Sequence, residues 1–245
     1  MTYKLDQKIA PILGIHLNST SLNEVLKVID LRVKNKQKTV IVTPNPEFVV
    51  YAQSHPWFAK ILNSADMALP DGIGIIWAAR FLKNIRLTRV VGADVTDGLM
   101  TLANSRGWQV GLVGLRRGVV EERNRLLAKL QKKYPRAKFY ILEETPNWQK
   151  IKLDLVFACQ GMGKQERWIQ ENFKTSEGLV FIGAGGSLDY LAGLVPRAPV
   201  WIRKLGVEWL YRLIRQPWRL SRQLNLLKFI WLVIKEKFSP TNFTS

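Results

Sequence analysis

Residues 153–166 read LDLVFACQGMGKQE, and this stretch decides the fold class. Its first half is an apolar run of the kind found in strands that are buried on both faces of a sheet. Two glycines, Gly161 and Gly163, end the run, and a helix is predicted to begin at Lys164. A buried strand that passes through a glycine-rich turn into a helix is the repeating unit of a parallel α/β sheet.

The same order recurs along the chain. Apolar runs predict further strands at 39–43, 67–69, 110–113, 139–142 and 179–182. Ser21 and Glu24 form a capping box at the start of an amphipathic helix, and a long charged helix is predicted over 119–133. We therefore predict an α/β fold, a Rossmann-like and largely parallel sheet flanked by helices. Ligands of such sheets bind beyond the carboxyl ends of the strands, so the loops there should carry the chemistry.

The composition changes near Arg197. From there to Lys237 the chain has ten Lys and Arg residues, two Glu and four Trp. Basic and aromatic side chains together suit helices that lie on an anionic membrane surface, with Trp at headgroup depth. We predict an α/β catalytic domain at 1–195 and a basic, Trp-rich, membrane-associating helical appendage at 196–245. The alternative for this appendage is a set of core helices with a solvated basic face.

The formal net charge of +18 indicates an anionic partner, which could be nucleic acid, phospholipid or a phosphate-rich substrate. No helix-turn-helix, RNP or zinc-finger pattern accompanies the charge, so we expect no nucleic acid partner. The alternatives to an enzyme are a basic nucleic-acid-binding protein and a membrane scaffold without catalysis. The apolar appendage would equally suit a homo-oligomer, and the sequence leaves the oligomeric state open.

Cysteine and histidine are scarce. The chain has one cysteine, Cys159, and two histidines, which excludes an internal disulfide and argues against a Cys/His metal cluster. The longest apolar run, 224–234, is about half the length of a bilayer span and contains Lys228. Residues 1–17 have no apolar stretch long enough for a signal peptide. We expect a cytoplasmic protein, peripheral on the inner face of the cell membrane.

Two loops present polar side chains at the predicted crevice. The first is TPNPE at 43–47, where Thr43 and Asn45 could bind a sugar, or Asn45 could cap the next helix. The second is LPDGIG at 69–74, where Asp71 could act as a general base. The alternative for Asp71 is an ordinary turn residue that caps a helix over 73–82.

Two glycine-rich loops, at 161–166 and 183–187, could place backbone N–H groups against a diphosphate. Neither matches a Walker loop, no G-x-G-x-x-G occurs, and no Asp-x-Asp pair is present, so we expect no cofactor and no metal. If a UDP leaving group is involved, arginines would offset its charge, because the guanidinium fork matches phosphate oxygens. The candidates, each of which could instead be a solvated surface charge, are Arg89, Arg197, Arg212, Arg219 and Arg222.

Taken together, the loops resemble the WecG/TagA/CpsF family of glycosyltransferases. The motifs that carry the resemblance are TPNPE at 43–47, PDGIG at 70–74, GKQERW at 163–168, GGS at 185–187 and RKLGVEW at 203–209, and QPWR at 216–219 continues the match. They occur in order over nearly the whole chain. The triplet Gly161-Met162-Gly163 departs from the Gly-Ala-Pro that members often have before Lys-Gln-Glu.

The resemblance implies inverting, metal-independent transfer of N-acetylmannosamine or a related hexose from a UDP-sugar to the C4 hydroxyl of N-acetylglucosamine on undecaprenyl diphosphate. Such enzymes serve teichoic acid or surface polysaccharide biosynthesis. The resemblance assigns the catalytic aspartate to Asp71. The positions it assigns to substrate binding are Thr43, Asn45, Gln165, Arg212, Arg219 and Arg222, and to these our reading of the loops adds Arg89, Gly185, Gly186 and Arg197.

Overall fold

The computed structural model describes residues 8–115, 119–147, 151–215 and 220–239. The first described elements are strands β1 (Lys8–Ile12) and β2 (Ile15–Asn18), which pair in an antiparallel hairpin. The turn between them places Leu13 and Gly14 at φ values of 50° and 79°. The sequence analysis does not predict this hairpin.

The central sheet has six strands, all paired in parallel. They are β3 (Thr39–Val42), β4 (Met67–Ala68), β5 (Gln109–Val113), β6 (Lys138–Leu142), β7 (Leu153–Ala158) and β8 (Gly178–Gly183). Their order across the sheet is β4-β3-β8-β7-β5-β6. The structure thus confirms the predicted α/β fold with a parallel sheet, and each predicted strand is present within one residue of its expected ends.

The described helices are α1 (Leu22–Lys34), α2 (Pro46–Ser54), α3 (Pro56–Ser64), α4 (Ile73–Lys83), α5 (Gly92–Arg106), α6 (Val120–Lys133), α7 (Lys164–Phe173), α8 (Ser187–Leu191), α9 (Val200–Lys204), α10 (Glu208–Arg215) and α11 (Leu220–Phe238). The capping box predicted at the start of α1 is present. The Ser21 hydroxyl accepts from the Glu24 N–H, and the Glu24 carboxylate accepts from the Ser21 N–H at 2.8 Å. These bonds satisfy two N–H groups that the helix leaves open.

Helices cover both faces of the sheet because alternate strand residues point to opposite sides. On β7, Leu155 and Phe157 belong to a core that includes residues of α1, α5 and α6. Val156 and Ala158 point the other way, into a core shared with α7. A third core holds α2, α3 and α4 together with the hairpin and α11. The sheet is therefore buried on both faces, as the apolar runs predict.

Helix α11 packs onto the α/β fold. Phe229 and Val233 are fully buried, and they share the third core with Val49 of α2 and Ile75 of α4. The opposite side of α11 carries a stripe of exposed apolar side chains at helical spacing, namely Leu224, Leu227, Trp231, Ile234 and Phe238. One side of α11 therefore stabilises the fold, and the other side stays available for a partner. The domain boundary at 195/196 remains a prediction.

Candidate active site

A cleft of about 1020 Å³ opens at the carboxyl ends of β3, β4, β7 and β8. The loops that follow these four strands form its floor, and α4, α10 and α11 form its wall. The carboxyl ends meet at one edge because the strands are parallel, which is the general position of ligand sites in such sheets. Seven of the predicted site residues line this cleft, namely Thr43, Asn45, Asp71, Arg89, Gln165, Gly185 and Gly186.

The loop after β3 supplies Thr43 and Asn45. Asn45 is the N-cap of α2, and its Oδ1 accepts from the Phe48 N–H at 3.0 Å. The capping role that the sequence left open is therefore real, and Asn45 lines the cleft as well. Pro46 follows at the first helical position, where its missing N–H costs nothing. This cap fixes the direction in which the loop presents Thr43.

Asp71 lies in the loop after β4, and the backbone holds it from two sides. Its N–H donates to the Pro44 carbonyl at 2.9 Å, which ties it to the loop after β3. Its Oδ2 accepts from the N–H of Gly92, the first residue of α5, at 3.1 Å. The N–H groups at a helix N-terminus suit an anionic partner, so this contact holds the side chain of Asp71 at the start of α5. Asp71 does not cap α4, because Gly72 occupies that N-cap position at φ 94° with no side-chain hydrogen bond.

Gly92 brings Thr43 and Asp71 together. A Cβ on Gly92 would lie 2.9 Å from Thr43 Oγ1 and 3.3 Å from Asp71 Oδ2. No other residue type fits here without moving one of these two side chains. The close approach of α5 therefore concentrates a hydroxyl and a carboxylate at one point of the cleft floor.

The loops after β7 and β8 are joined by Gln165 and Glu166 at the start of α7. Gln165 Nε2 donates to Glu166 Oε1 at 2.6 Å, and Gln165 Oε1 accepts from the Gly185 N–H at 3.1 Å. Glu166 Oε2 accepts from the Gly163 N–H at 2.6 Å. Burial raises the pKa of Glu166 from 4.5 to about 7, against these hydrogen bonds, which lower it. The sequence analysis misses Glu166, although a Glu three residues after an N-cap can accept from the N-cap N–H, as Glu166 does from Gly163.

The predicted arginines differ in their positions. Arg89 lines the cleft, and its Nη2 donates to the Arg203 carbonyl at 2.6 Å, which ties the loop before α5 to α9. Arg197 is not among the residues that line the cleft. It pairs with Asp94 at 2.7 Å and lies 3.9 Å from Glu208. Arg219 lies outside the described residues, and for Arg212 and Arg222 only the helical backbone is described.

The wall of the cleft is mostly apolar. Ile73 and Trp77 of α4 and Leu226 and Ile230 of α11 line it, and Trp77 stacks on Phe81 at 5.2 Å between ring centroids. Trp77 is 39% exposed, which is unusual for a large aromatic side chain on a helix that is packed on its other side. The sequence analysis does not predict this wall. Apolar residues such as Trp77 and Ile230 are expected on the buried face of any amphipathic helix, so nothing in the sequence marks them as cleft residues. The cleft thus joins a polar floor to an apolar side that continues to the protein surface.

Comparison of the sequence with known proteins identifies a matching family model and several relatives. The model of the glycosyl transferase WecG/TagA/CpsF family matches residues 10–242. An N-acetylglucosaminyldiphosphoundecaprenol N-acetyl-beta-D-mannosaminyltransferase of Bacillus subtilis (strain 168) is 33% identical over 220 residues, which cover 86% of this chain and 85% of that protein. A protein of the same name from Staphylococcus aureus (strain MW2) is 33% identical over 237 residues, with 92% of each chain covered.

Proposed function

Because this chain belongs to the WecG/TagA/CpsF family of glycosyltransferases, we propose that it transfers N-acetylmannosamine or a related hexose from a UDP-sugar to N-acetylglucosamine on a polyprenyl diphosphate. The names of both relatives contain this acceptor and this sugar. The product would serve teichoic acid or surface polysaccharide biosynthesis. The observation that carries the proposal is the position of Asp71, a carboxylate held at the cleft floor beside Thr43 and at the N-terminus of α5.

Asp71 is the general base of the proposed reaction. Its carboxylate takes the proton from the acceptor hydroxyl, and the hydroxyl oxygen forms a bond to C1 of the donor sugar. The bond from C1 to the diphosphate oxygen breaks, and UDP leaves with the electron pair. A single displacement from the opposite face inverts the anomeric centre. Thr43 and Asn45, on the neighbouring loop, are positioned to contact the hydroxyl groups of either sugar.

Negative charge develops on the diphosphate as it leaves, and the protein must stabilise this charge. Gly185 and Gly186 line the cleft without side chains, and a Cβ on Gly185 would meet no atom within 4 Å. Phosphate oxygens can therefore approach this backbone closely. Arg89 supplies a guanidinium at the cleft, and Arg212, Arg219 and Arg222 follow it in the sequence on the appendage side. Metal independence is proposed on the absence of any Asp-x-Asp pair from the sequence.

The acceptor is a lipid, so the enzyme must work at a bilayer surface. No helix within the described residues combines the length and apolar character that a bilayer crossing needs. The exposed stripe of α11, with Lys228, Lys235 and Lys237 beside it, fits instead a helix that lies in the headgroup layer. We place the protein on the inner face of the cell membrane, with this stripe against anionic lipid and the apolar wall of the cleft leading to it.

The experiment that tests the proposed function is UDP release from a panel of UDP-sugars. The acceptor is a short-chain polyprenyl-diphosphate N-acetylglucosamine in detergent, and EDTA is present throughout. The proposal predicts release that requires both the acceptor and one hexose donor, with UDP-N-acetylmannosamine as the first candidate. Release that EDTA abolishes would contradict metal independence, and no acceptor-dependent release from any donor would contradict the transferase assignment.

A further inference from the structure

Three hydrogen bonds connect the two glycine loops of the cleft through the side chains of Gln165 and Glu166. The Gly163 N–H donates to Glu166 at 2.6 Å, the Gln165 amide donates to Glu166 at 2.6 Å, and the Gly185 N–H donates to Gln165 at 3.1 Å. Gln165 is 4% exposed and Glu166 is 2% exposed. The two bonds to Glu166 are therefore buried, and breaking either of them leaves a buried polar group unsatisfied, whereas the bond from the Gly185 N–H is partly buried at the cleft.

We propose that Glu166 is a positioning residue, which acts through Gln165 to hold the loops after β7 and β8 in the one arrangement that receives the diphosphate of the donor. This inference rests on the proposed function, because it names what the two loops are arranged for. It also gives Gln165 a different task from direct contact with substrate. Both polar ends of its side-chain amide already bind protein groups.

The direction of the bonds requires a residue at position 166 that accepts hydrogen bonds at both ends of its side-chain terminal group. Donors approach it from both sides, so residue 166 must accept at both of its oxygens. A carboxylate can do so, whereas an amide offers one oxygen and one N–H group. With an amide at position 166, either the Gly163 N–H or the Gln165 amide loses its acceptor. If the Gln165 amide rotates to compensate, it presents N–H to the N–H of Gly185, and the loop after β8 loses its link.

Packing on two sides restricts the arrangement of Gln165 and Glu166. A Cβ on Gly183 would overlap the Gln165 amide and lie 3.0 Å from Glu166 Oε1, so the pair lies flat against the end of β8. On the other side, the Tyr51 ring and Trp57 border Gly163, at 3.7 Å and 3.9 Å from where its Cβ would be. Arg167 covers the Trp57 ring at 4.2 Å. The loop after β7 is thus held between aromatic rings and the Glu166 carboxylate.

Three variants test the proposal. Glu166→Gln keeps the shape but reverses one bond, and Gln165→Glu places two carboxylates against each other. The double variant Gln165→Glu with Glu166→Gln restores every bond: the Gly163 N–H donates to the new amide oxygen, the new amide N–H donates to the carboxylate at 165, and that carboxylate accepts from the Gly185 N–H. Charge and volume match the wild type.

Two measurements distinguish a positioning role of Glu166 from a general contribution to the stability of the fold. Amide hydrogen exchange reports the loops at 161–164 and 183–187 without any substrate, and steady-state kinetics reports KM for the donor and kcat. We expect Glu166→Gln to speed exchange in both loops, including the loop after β8 that Glu166 does not touch directly. We expect it to lower kcat/KM by about 10- to 100-fold, as for a lost buried hydrogen bond.

The double variant decides the question. Recovery of loop protection to the wild-type level supports the proposal, because the two substitutions compensate each other only if the two residues are coupled. A double variant whose loops exchange as fast as those of Glu166→Gln, whether from misfolding or from another cause, overturns it. If the wild type transfers no sugar at all, the proposed function fails separately, and exchange in the two loops still tests whether the pair holds them together.

Discussion

The Asp71 carboxylate accepts a hydrogen bond from the N–H of Gly92, at 3.1 Å. This contact joins the loop after β4 to the first residue of α5, and it sets the direction of the carboxylate relative to the cleft floor. Thr43 lies at the same point, because a Cβ on Gly92 would lie 2.9 Å from its hydroxyl. The absence of a side chain at residue 92 is therefore part of the site.

Replacing Gly92 by Ala tests this arrangement. The new methyl group would push Thr43 and Asp71 apart, and a misplaced general base loses much of its contribution. We expect kcat to fall at least about tenfold with little change in the melting temperature, since Ala suits a helix better than Gly. The matched control is Thr101→Ala, on the exposed side of the same helix. An unchanged kcat for Gly92→Ala would contradict the assignment of this floor to catalysis.

The raised pKa of Glu166 predicts how the free energy of unfolding depends on pH. Its pKa is raised from 4.5 to about 7 by burial, so between these values the folded state binds the proton more tightly than the unfolded chain. Its contribution to the free energy of unfolding therefore decreases as the pH rises through this window and is smallest above pH 7. Between about pH 5 and 8 we expect wild type to lose about 2 kcal/mol relative to Glu166→Gln, which cannot titrate. Urea unfolding of both proteins measures this, and parallel curves would refute it.

Phe229 tests the attachment of α11. It is fully buried beside residues of α2 and α4, so Phe229→Ala should lower the free energy of unfolding by about 3–5 kcal/mol. Leu227→Ala, two residues earlier and 65% exposed, should change it by less than about 0.5 kcal/mol. The same contact implies that a chain cut after Val195 would expose this core and unfold more easily. Equal stability of the two point variants would contradict the packing of α11.

The exposed stripe of α11 predicts the strength of membrane binding. Replacing Leu227 and Trp231 by Ser removes two large apolar side chains that we place in the headgroup layer, and partition into vesicles should weaken at least about tenfold. Flotation with vesicles of phosphatidylglycerol and phosphatidylethanolamine measures this. Val120→Ser, at an exposed apolar position on α6, should bind as wild type does. Undiminished flotation of the double variant would exclude this stripe as the contact surface.

Much of the fold was predictable because buried parallel strands are continuous apolar runs. The runs around Leu112, Leu155 and Phe181 became β5, β7 and β8, and all are at or near zero exposure. The hairpin of β1 and β2 was not predictable in the same way. It contains Pro11, which is unusual in a strand, and β1 tolerates it because it pairs with one neighbour within the described residues.

Site residues were predictable where their type is unusual for their position in the sequence. They were missed where a contact with a residue from another element decides what the side chain does. Asp71 and the glycine loops stand out after apolar strands, and the capping of α2 by Asn45 is one of the two roles that the sequence analysis offers for it. Glu166 is a charged residue at the start of a helix, where a side chain is usually exposed. Its burial depends on packing against the end of β8, which the local sequence does not show. Arg197 reads as a phosphate ligand, but Asp94 pairs with it. Such pairings depend on residues distant in the sequence, which local patterns do not reveal.

The most direct test of the central claim compares wild type with Asp71→Asn in acceptor-dependent UDP release. The amide keeps the shape of the side chain and cannot take the proton, so kcat should fall by about 10²- to 10⁴-fold. Asp97→Asn is the matched control, because Asp97 lies half-exposed on α5 next to Lys133 and Tyr134 and outside the cleft. A folded Asp71→Asn protein that releases UDP as fast as wild type, with the same need for acceptor, would contradict the account.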